Sequence, residues 1–174
     1  MFSFFKANQK LSITDDSGFL AIVNASLYTS FIDEDWELTE LFNHFVSEMN
    51  KDSVIVWATG SENEWTLAIT DKASGKKAFR QFSKSIFVTD EKLYLTNYED
   101  LTNAAQFEDV GLPAKHNSGL VIPLENGLYN VTVRQMFDPE NDDYNAKGKV
   151  NFEIVIAKTD ASTERIDKVW WQAD

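Results

Sequence analysis

Glu40, His44 and Glu48 recur at intervals of four residues, which would place their side chains on one face of an α-helix. Carboxylate and imidazole groups at that spacing are ligands that Zn²⁺ accepts. The apolar residues of the same segment fall on the opposite face, so we expect these three side chains to face solvent. One histidine among solvated carboxylates is a weak motif, and we predict that no metal and no cofactor binds there.

A second group of oxygen ligands, the type that Ca²⁺ prefers, occurs in a loop near the C-terminal end of the sequence. Its carboxylates belong to Asp138, Glu140, Asp142 and Asp143. The turn glycine and the closing glutamate of an EF-hand loop are absent at the required spacing. We therefore interpret the segment as a solvated acidic loop.

Catalytic motifs of the common hydrolase and nucleotide-binding classes do not occur in the sequence. The chain has two histidines, His44 and His116, and no Gly-x-Ser-x-Gly elbow, Walker loop or dinucleotide fingerprint. It has no cysteine, which excludes disulfides, cysteine-bound zinc and thiol catalysis. We predict that the protein is not an enzyme.

The charge balance narrows the choice of partner. Sixteen Lys and Arg residues against 28 Asp and Glu residues give a net charge of −12. A field of that sign repels nucleic-acid phosphates and anionic membranes and attracts basic proteins. No apolar run is long enough to span a membrane, and the apolar start at residues 1–6 is too short for a signal peptide. We expect a cytoplasmic protein whose partner is a basic protein.

The composition favours a single, mostly β domain over residues 1–174. Aromatic residues make up 13% of the chain, and large flat side chains suit sheet faces and core layers. One amphipathic helix is predicted at about residues 36–49, and we expect Phe42 and Phe45 to be buried. Its apolar stripe comprises Leu38, Leu41, Phe42, Phe45, Val46 and Met49. A shorter helix is predicted from residue 98, capped by Asn97.

Three pairs of apolar segments flank turn-forming residues and are predicted to form β-hairpins, and a further turn at residues 90–92 joins two more strand candidates in the same way. The turns of the three hairpins are residues 15–18, 60–63 and 125–127, and the last contains Asn-Gly, the strongest short hairpin signal. Pro123 cannot donate to a strand ladder, which places the strand before the third turn at a sheet edge or marks a break in it.

The order hairpin, helix, hairpin occurs twice, over residues 11–72 and 86–157. Residues 20–24 (Leu-Ala-Ile-Val-Asn) match residues 93–97 (Leu-Tyr-Leu-Thr-Asn). Alternatively, any β-rich chain contains similar hairpins by chance. An internal duplication would give two pseudo-symmetric halves that share one core, and we predict a two-sheet β-sandwich.

Several segments resemble those of known small bacterial proteins. They are Phe2, Phe4, Phe5 and Lys6 at the start, residues 11–15, and the strand at residues 126–133, which reads Gly-x-Tyr-x-Val-x-Val. The sequence is similar to acidic bacterial proteins of the competence-nuclease-inhibitor and toxin-immunity types. This resemblance spans most of the chain and carries no active-site residues. It implies a β-sandwich that acts as a non-enzymatic binding protein.

Two acidic segments are the predicted partner-binding surfaces, because loops and helix starts present side chains to solvent and aromatic residues anchor interfaces. The residues are Asp33, Glu34, Asp35, Trp36 and Glu37 in the first segment, and Asp138, Glu140, Asp142, Asp143 and Tyr144 in the second. The leading hypothesis is an inhibitor or immunity protein that neutralises a basic toxin or nuclease. The alternative is a structural or regulatory domain that binds a small ligand between its two halves.

Overall fold

A computed structural model describes residues 9–173 of the chain. The phenylalanine-rich start, which contributes to the resemblance, lies outside the described residues. Nine strands and two α-helices follow in order. The strands are β1 (Gln9–Asp15), β2 (Phe19–Val23), β3 (Val54–Ala58), β4 (Asn63–Thr70), β5 (Arg80–Val88), β6 (Lys92–Asn97), β7 (Val121–Pro123), β8 (Gly127–Gln135) and β9 (Phe152–Lys158). The helices are α1 (Leu38–Asn50) and α2 (Tyr98–Gln106), with a short 3₁₀ helix at Lys115–Asn117.

The strands form two sheets, and the predicted mostly-β sandwich is confirmed. The five-stranded sheet has the order β1-β4-β9-β8-β5, and the four-stranded sheet has the order β3-β2-β6-β7. All neighbours are antiparallel except β4 and β9. The core between the sheets includes two tryptophans, Trp57 and Trp65, that are fully buried. No helix within the described residues is long and apolar enough to cross a membrane.

The predicted hairpins are wrong, although each turn lies where it was expected. In each case the two strands that the turn joins belong to different sheets, so the connection is an arch between sheets. The burial patterns explain this: β1 alternates between buried and exposed residues and β4 between buried and half-buried ones, whereas β2 and β3 are buried almost throughout. A strand buried on both faces needs cover on both sides, and the two helices supply that cover for the four-stranded sheet alone.

Helix α1 begins at Leu38 and ends at Asn50, which confirms the predicted helix within two residues. Phe45 is fully buried, but Phe42 is only half-buried, so its predicted burial is wrong. The cause is its position near the helix start, where it lies against the rings of Phe19 and Phe45 at the rim of the core. Helix α2 is capped by Asn97, whose side chain accepts a hydrogen bond from the Asp100 amide.

The predicted solvent exposure of Glu48 is also wrong. Glu48 is 1% exposed, because the chain between β2 and α1 packs over that side of the helix. Its carboxylate accepts a hydrogen bond from the Thr29 amide at 2.6 Å and pairs with Lys51 at 3.2 Å. His44 contacts the Thr29 carbonyl through Nε2 at 2.6 Å. Glu48 and His44 therefore hold the loop that contains Thr29 against helix α1, while Glu40 remains exposed.

The two halves of the chain occupy equivalent places in the sheets. The pairs β1–β4 and β8–β5 flank β9 in one sheet, and β3–β2 meets β6–β7 in the other. Each half has the order arch, helix, arch. This is the arrangement that an internal duplication would produce, and both the duplication and the single-domain organisation stay predictions.

After β9, the chain crosses to the edge of the four-stranded sheet and closes one open side of the sandwich. The Ala58 amide donates to the Trp170 carbonyl at 2.9 Å, and Asn50 exchanges two hydrogen bonds with the backbone of Ile166. An exposed strand edge invites aggregation. The segment at residues 159–172 therefore protects the edge strand β3.

Candidate protein-binding surface

The first predicted surface, residues 33–37, lies beside helix α2 on the four-stranded-sheet side of the protein. The amides of Ile32 and Asp33 donate to the Ala105 carbonyl in the last turn of α2, at 2.8 and 3.2 Å. The four acidic side chains of this segment are exposed, whereas Trp36 is half-buried and packs against the core. The segment therefore offers charge to a partner but little free aromatic surface.

The second predicted surface, residues 138–144, lies in the loop between β8 and β9. Asp138 accepts hydrogen bonds from the Asn141 side chain at 2.7 Å and the Glu140 amide at 2.9 Å, and these bonds lower the pKa of its carboxyl. Asp142 in turn accepts from the Asp138 amide at 2.7 Å. Asp138 and Asp142 therefore order the loop. Glu140 and Asp143 project their charge from its exposed surface.

Tyr144 belongs to the aromatic cluster that closes the core under this loop. Its ring stacks on Trp65 at 5.8 Å and lies 4.8 Å from Phe137, measured between ring centroids. The ring is half-buried. Tyr144 thus fixes the loop to the sandwich, with part of its surface left for contact.

No hydrogen bond, ion pair or shared cavity of the described residues connects segment 33–37 with segment 138–144. The second segment instead borders further carboxylates that the sequence reading missed. Asp16, Glu62 and Glu64 lie on or beside the arches β1–β2 and β3–β4, and all three are exposed. Glu64 lines a cavity of about 500 Å³ together with residues 144–149, which include Lys147 and Lys149. We call this end of the sandwich the acidic arch end.

The buried carboxylate of Asp15 shapes the arch end. Asp15 is 0% exposed, and one of its oxygens accepts hydrogen bonds from the amides of residues 17–19, the shortest at 2.7 Å. The other oxygen accepts from the Thr59 hydroxyl at 2.6 Å and the Trp65 indole at 2.9 Å. The Asp15 side chain thereby connects the two arches, since its two oxygens accept several hydrogen bonds at once. Aspartate in a polar turn was the available sequence signal, but it did not reveal burial.

A cleft of about 400 Å³ opens between the two arches. Asp16 and Glu62 line it, Phe19 contributes an aromatic surface, and Trp171 from the C-terminal segment borders it. The Asp16 amide donates to Glu99 at 3.0 Å, which adds a further carboxylate beside the cleft. No ion pair of the described residues involves Asp16, Glu62, Glu64 or Glu99.

Trp171 adopts a backbone conformation that a bulky residue rarely takes, with φ of 62°. Its ring lies 4.2 Å below the Arg80 guanidinium and meets the edge of Phe82 at 5.1 Å. The ring remains half-exposed. Neighbouring groups thus hold a large aromatic side chain at the mouth of an acidic cleft.

No metal centre is found among the described residues, and the one histidine–carboxylate pair there does not form a hydrolytic triad. No group of three or more His, Asp and Glu side chains in residues 9–173 is arranged to hold a metal ion. His116 pairs with the buried Asp100 at 3.2 Å but is itself 70% exposed. Within the described part of the chain, no serine or threonine hydroxyl is hydrogen-bonded to His116. The pair therefore lacks the nucleophile that a hydrolytic triad needs.

Comparison with known proteins identifies shared folds. No protein-family model and no curated protein matches the sequence. The structure is similar to that of the crocagin biosynthetic gene J product, with a TM-score of 0.58, 10% identity, and coverage of 90% of this chain and 97% of that chain. It is also similar to ComJ, an inhibitor of the DNA-degrading activity of NucA from Bacillus subtilis. For ComJ the TM-score is 0.53, the identity is 10%, and coverage is 89% of this chain and 98% of that chain. Both likenesses establish a common fold.

Proposed function

We propose that this protein is an acidic, non-enzymatic inhibitor or immunity protein that neutralises a basic protein, such as a nuclease or another toxin. The observation that carries the proposal is the acidic arch end, where Asp16 and Glu62, which form no ion pair with the described residues, line a cleft that has an aromatic rim. The fold shared with a nuclease inhibitor supports the same class.

A nuclease is a fitting partner on electrostatic grounds. Proteins that bind nucleic acids present lysine and arginine to the phosphate backbone. A rigid acidic surface can occupy such a groove, accelerate encounter and exclude the substrate. The net charge of −12 adds to the attraction at long range.

The arch end also offers short-range binding groups. Asp16 and Glu62 can pair with a lysine or arginine of the partner, and Trp171 can pack against its aliphatic stem. Tryptophan is enriched among residues that dominate binding energy. We propose that the arch cleft is the centre of the interface, with Glu64 and the acidic loop at its rim.

The test begins with capture of partners from an extract of the native host at low salt, followed by elution with salt. A captured nuclease is then titrated with the protein in a DNA-cleavage assay. We expect cleavage to stop at a stoichiometric ratio. The wild type is compared with a variant that carries Asp16→Asn, Glu62→Gln, Glu64→Gln and Glu140→Gln. This variant should inhibit the nuclease only weakly. If the captured protein keeps full activity, or if the variant inhibits equally well, the proposal is wrong.

A further inference from the structure

Three lysines converge on one cavity on the outer face of the five-stranded sheet, in a protein that is otherwise acidic. The cavity measures about 380 Å³, and Lys10, Lys76 and Lys149 line it. None of these three ammonium groups has a hydrogen-bond or ion-pair partner among the described residues. The cavity lies where strands β1 and β4 of the first half meet the loop that follows β8 and the start of β9.

The three lysines come from separate segments, each fixed to the sheet. Lys10 lies on β1, opposite Ala68 of β4. The loop that carries Lys76 is held by Arg134, whose guanidinium donates to the Lys76 carbonyl at 2.6 Å. The Lys149 loop closes on itself through the Lys149 amide, which donates to the Ala146 carbonyl at 3.2 Å. Ordered backbone therefore places the three lysines around one cavity.

The three lysines are exposed, so water screens their mutual repulsion, and an anion in the shared cavity would be attracted by all three charges at once. The chain has 28 acidic residues, yet none forms an ion pair with these lysines among the described residues. The carboxylate that lines the cavity, Glu153, is already engaged by the Arg134 guanidinium at 2.6 Å and by the Ser74 amide at 2.7 Å. The charges of Lys10, Lys76 and Lys149 thus remain without compensation.

The geometry points to a binding site for a small organic phosphate. The three ammonium groups would hold the phosphate, and the apolar part of the ligand would lie on Ala68, Met136 and Val150, which line the same cavity. A volume of about 380 Å³ falls within the range of natural small-molecule sites. This inference does not rest on the proposed inhibitor function, because it concerns the lysine cavity rather than the cleft between the arches, although Lys149 also lines the Glu64 cavity of the arch end.

The experiment measures binding by NMR titration of the full chain, with phenyl phosphate, inorganic phosphate and phenol as probes at matched ionic strength. We expect saturable shifts with phenyl phosphate, centred on Lys10, Lys76 and Lys149. Phenyl phosphate should bind more tightly than either inorganic phosphate or phenol. A variant with these three lysines changed to glutamine should lose about tenfold in affinity, since three charge contacts of about 0.5 kcal/mol each sum to one decade.

A charge-matched control separates a local site from general electrostatics. Changing Lys92, Lys115 and Lys158 to glutamine removes the same total charge elsewhere, and these residues are outside the cavity. We expect the control to bind phenyl phosphate as the wild type does, and both variants to retain the dispersed spectrum of a folded protein. Equal losses in the two variants, equal affinity for inorganic phosphate and phenyl phosphate, or the absence of saturable binding would each overturn the inference.

Discussion

Ile22 of β2 pairs directly with Leu95 of β6 in the middle of the four-stranded sheet. These two residues are equivalent when the predicted repeats are aligned, because residues 20–24 match residues 93–97. A residue that lies on a two-fold axis pairs with its own equivalent. The register at the sheet centre is therefore the one that two related halves would adopt.

Asn24 and Asn97, which end the matched strands, make corresponding contacts. The Asn24 side-chain amide donates to the Phe87 carbonyl at 2.8 Å, and the Asn97 side-chain amide donates to the Thr14 carbonyl at 2.9 Å. Each side-chain oxygen accepts from a backbone amide two or three residues further on. Each asparagine thus ties its own half of the chain to the other half.

We predict that Asn24→Ala and Asn97→Ala each reduce the free energy of unfolding by about 1–2 kcal/mol. Each change removes a buried side chain that caps backbone amides and leaves its former partners unsatisfied. Urea denaturation measures the effect. Asn103→Ala, on the exposed surface of α2, is the control and should change little. If only one of the two asparagines matters, their equivalence is wrong.

The buried ion pair between Lys84 and Asp52 gives a second prediction. Lys84 points into the sandwich from the edge strand β5, is 1% exposed, and lies 3.1 Å from Asp52. The Ser85 hydroxyl also donates to Asp52, at 2.6 Å. Lys84→Met should lower the free energy of unfolding by about 3–5 kcal/mol, because removing the lysine leaves the buried Asp52 carboxylate without its cationic partner.

The double variant Lys84→Met with Asp52→Asn tests this explanation. Asparagine tolerates the left-handed backbone at position 52, where φ is 60°, and it carries no charge. We expect the double variant to be more stable than Lys84→Met alone in the same denaturation assay. If the second change adds a further loss, packing of the lysine stem is the dominant contribution.

Helix α1 supplies a third prediction, about two phenylalanines three residues apart. Phe45→Ala should cost about 3–5 kcal/mol, because the ring is fully buried. Phe42→Ala should cost about half as much, because its ring is only partly removed from water. Guanidinium denaturation of both variants measures the difference. Equal losses would show that Phe42 belongs to the core after all.

The comparison of α1 with the strands shows what the sequence determines locally. The helix follows from a stripe at intervals of three and four, and the strands follow from alternating or continuous apolar residues. Turn residues specify a change of direction, yet the Asn126-Gly127 turn joins strands in different sheets. Which strands pair depends on contacts far apart in sequence, such as Leu11 with Leu67.

From the sequence, only the negative charge of the candidate site could be predicted. Exposed acidic loops at residues 33–37 and 138–143 could be read from the sequence, because such clusters rarely enter a core. The cleft between the arches combines Asp16, Glu62 and Trp171, which are distant in sequence. No local pattern joins those residues, since the fold alone brings the C-terminal segment against the two arches.

The pair Arg134–Glu153 predicts a pH effect on stability. Burial raises the pKa of Glu153, but hydrogen bonds from Ser74 and the pairing with Arg134 outweigh it, so the pKa of the folded state is lowered. The stabilising contribution is therefore complete above the ordinary value of about 4.5 and is lost as the pH falls through the lowered pKa.

We expect wild type to exceed Glu153→Gln in unfolding free energy at pH 7, and the difference to shrink as the pH falls below about 4.5. Denaturation of both proteins between about pH 6 and pH 3 measures it, and other titrating groups largely cancel in the difference. If the difference in unfolding free energy stays constant across this range, Glu153 contributes to stability through packing and not through its charge.

The final prediction concerns association with a basic partner, and it rests on the proposed function. Two quadruple variants remove four negative charges each. The first changes Asp33, Glu34, Asp35 and Glu37, and the second is the arch-end variant with changes at Asp16, Glu62, Glu64 and Glu140. A control variant neutralises Asp71, Glu108, Asp109 and Asp160, which are exposed and lie outside both surfaces. All three proteins carry the same net charge, so any difference among them reports position.

Because the arch end surrounds the cleft, its variant should show the slowest association and the flattest salt dependence, measured as on-rates across a salt series. The variant at residues 33–37 should fall between the arch-end variant and the control if its surface flanks the interface. Folding should be nearly unchanged in all three, because exposed charges contribute little to stability. Three identical salt slopes would mean that the partner senses only net charge, and the arch end would then have no special role in docking.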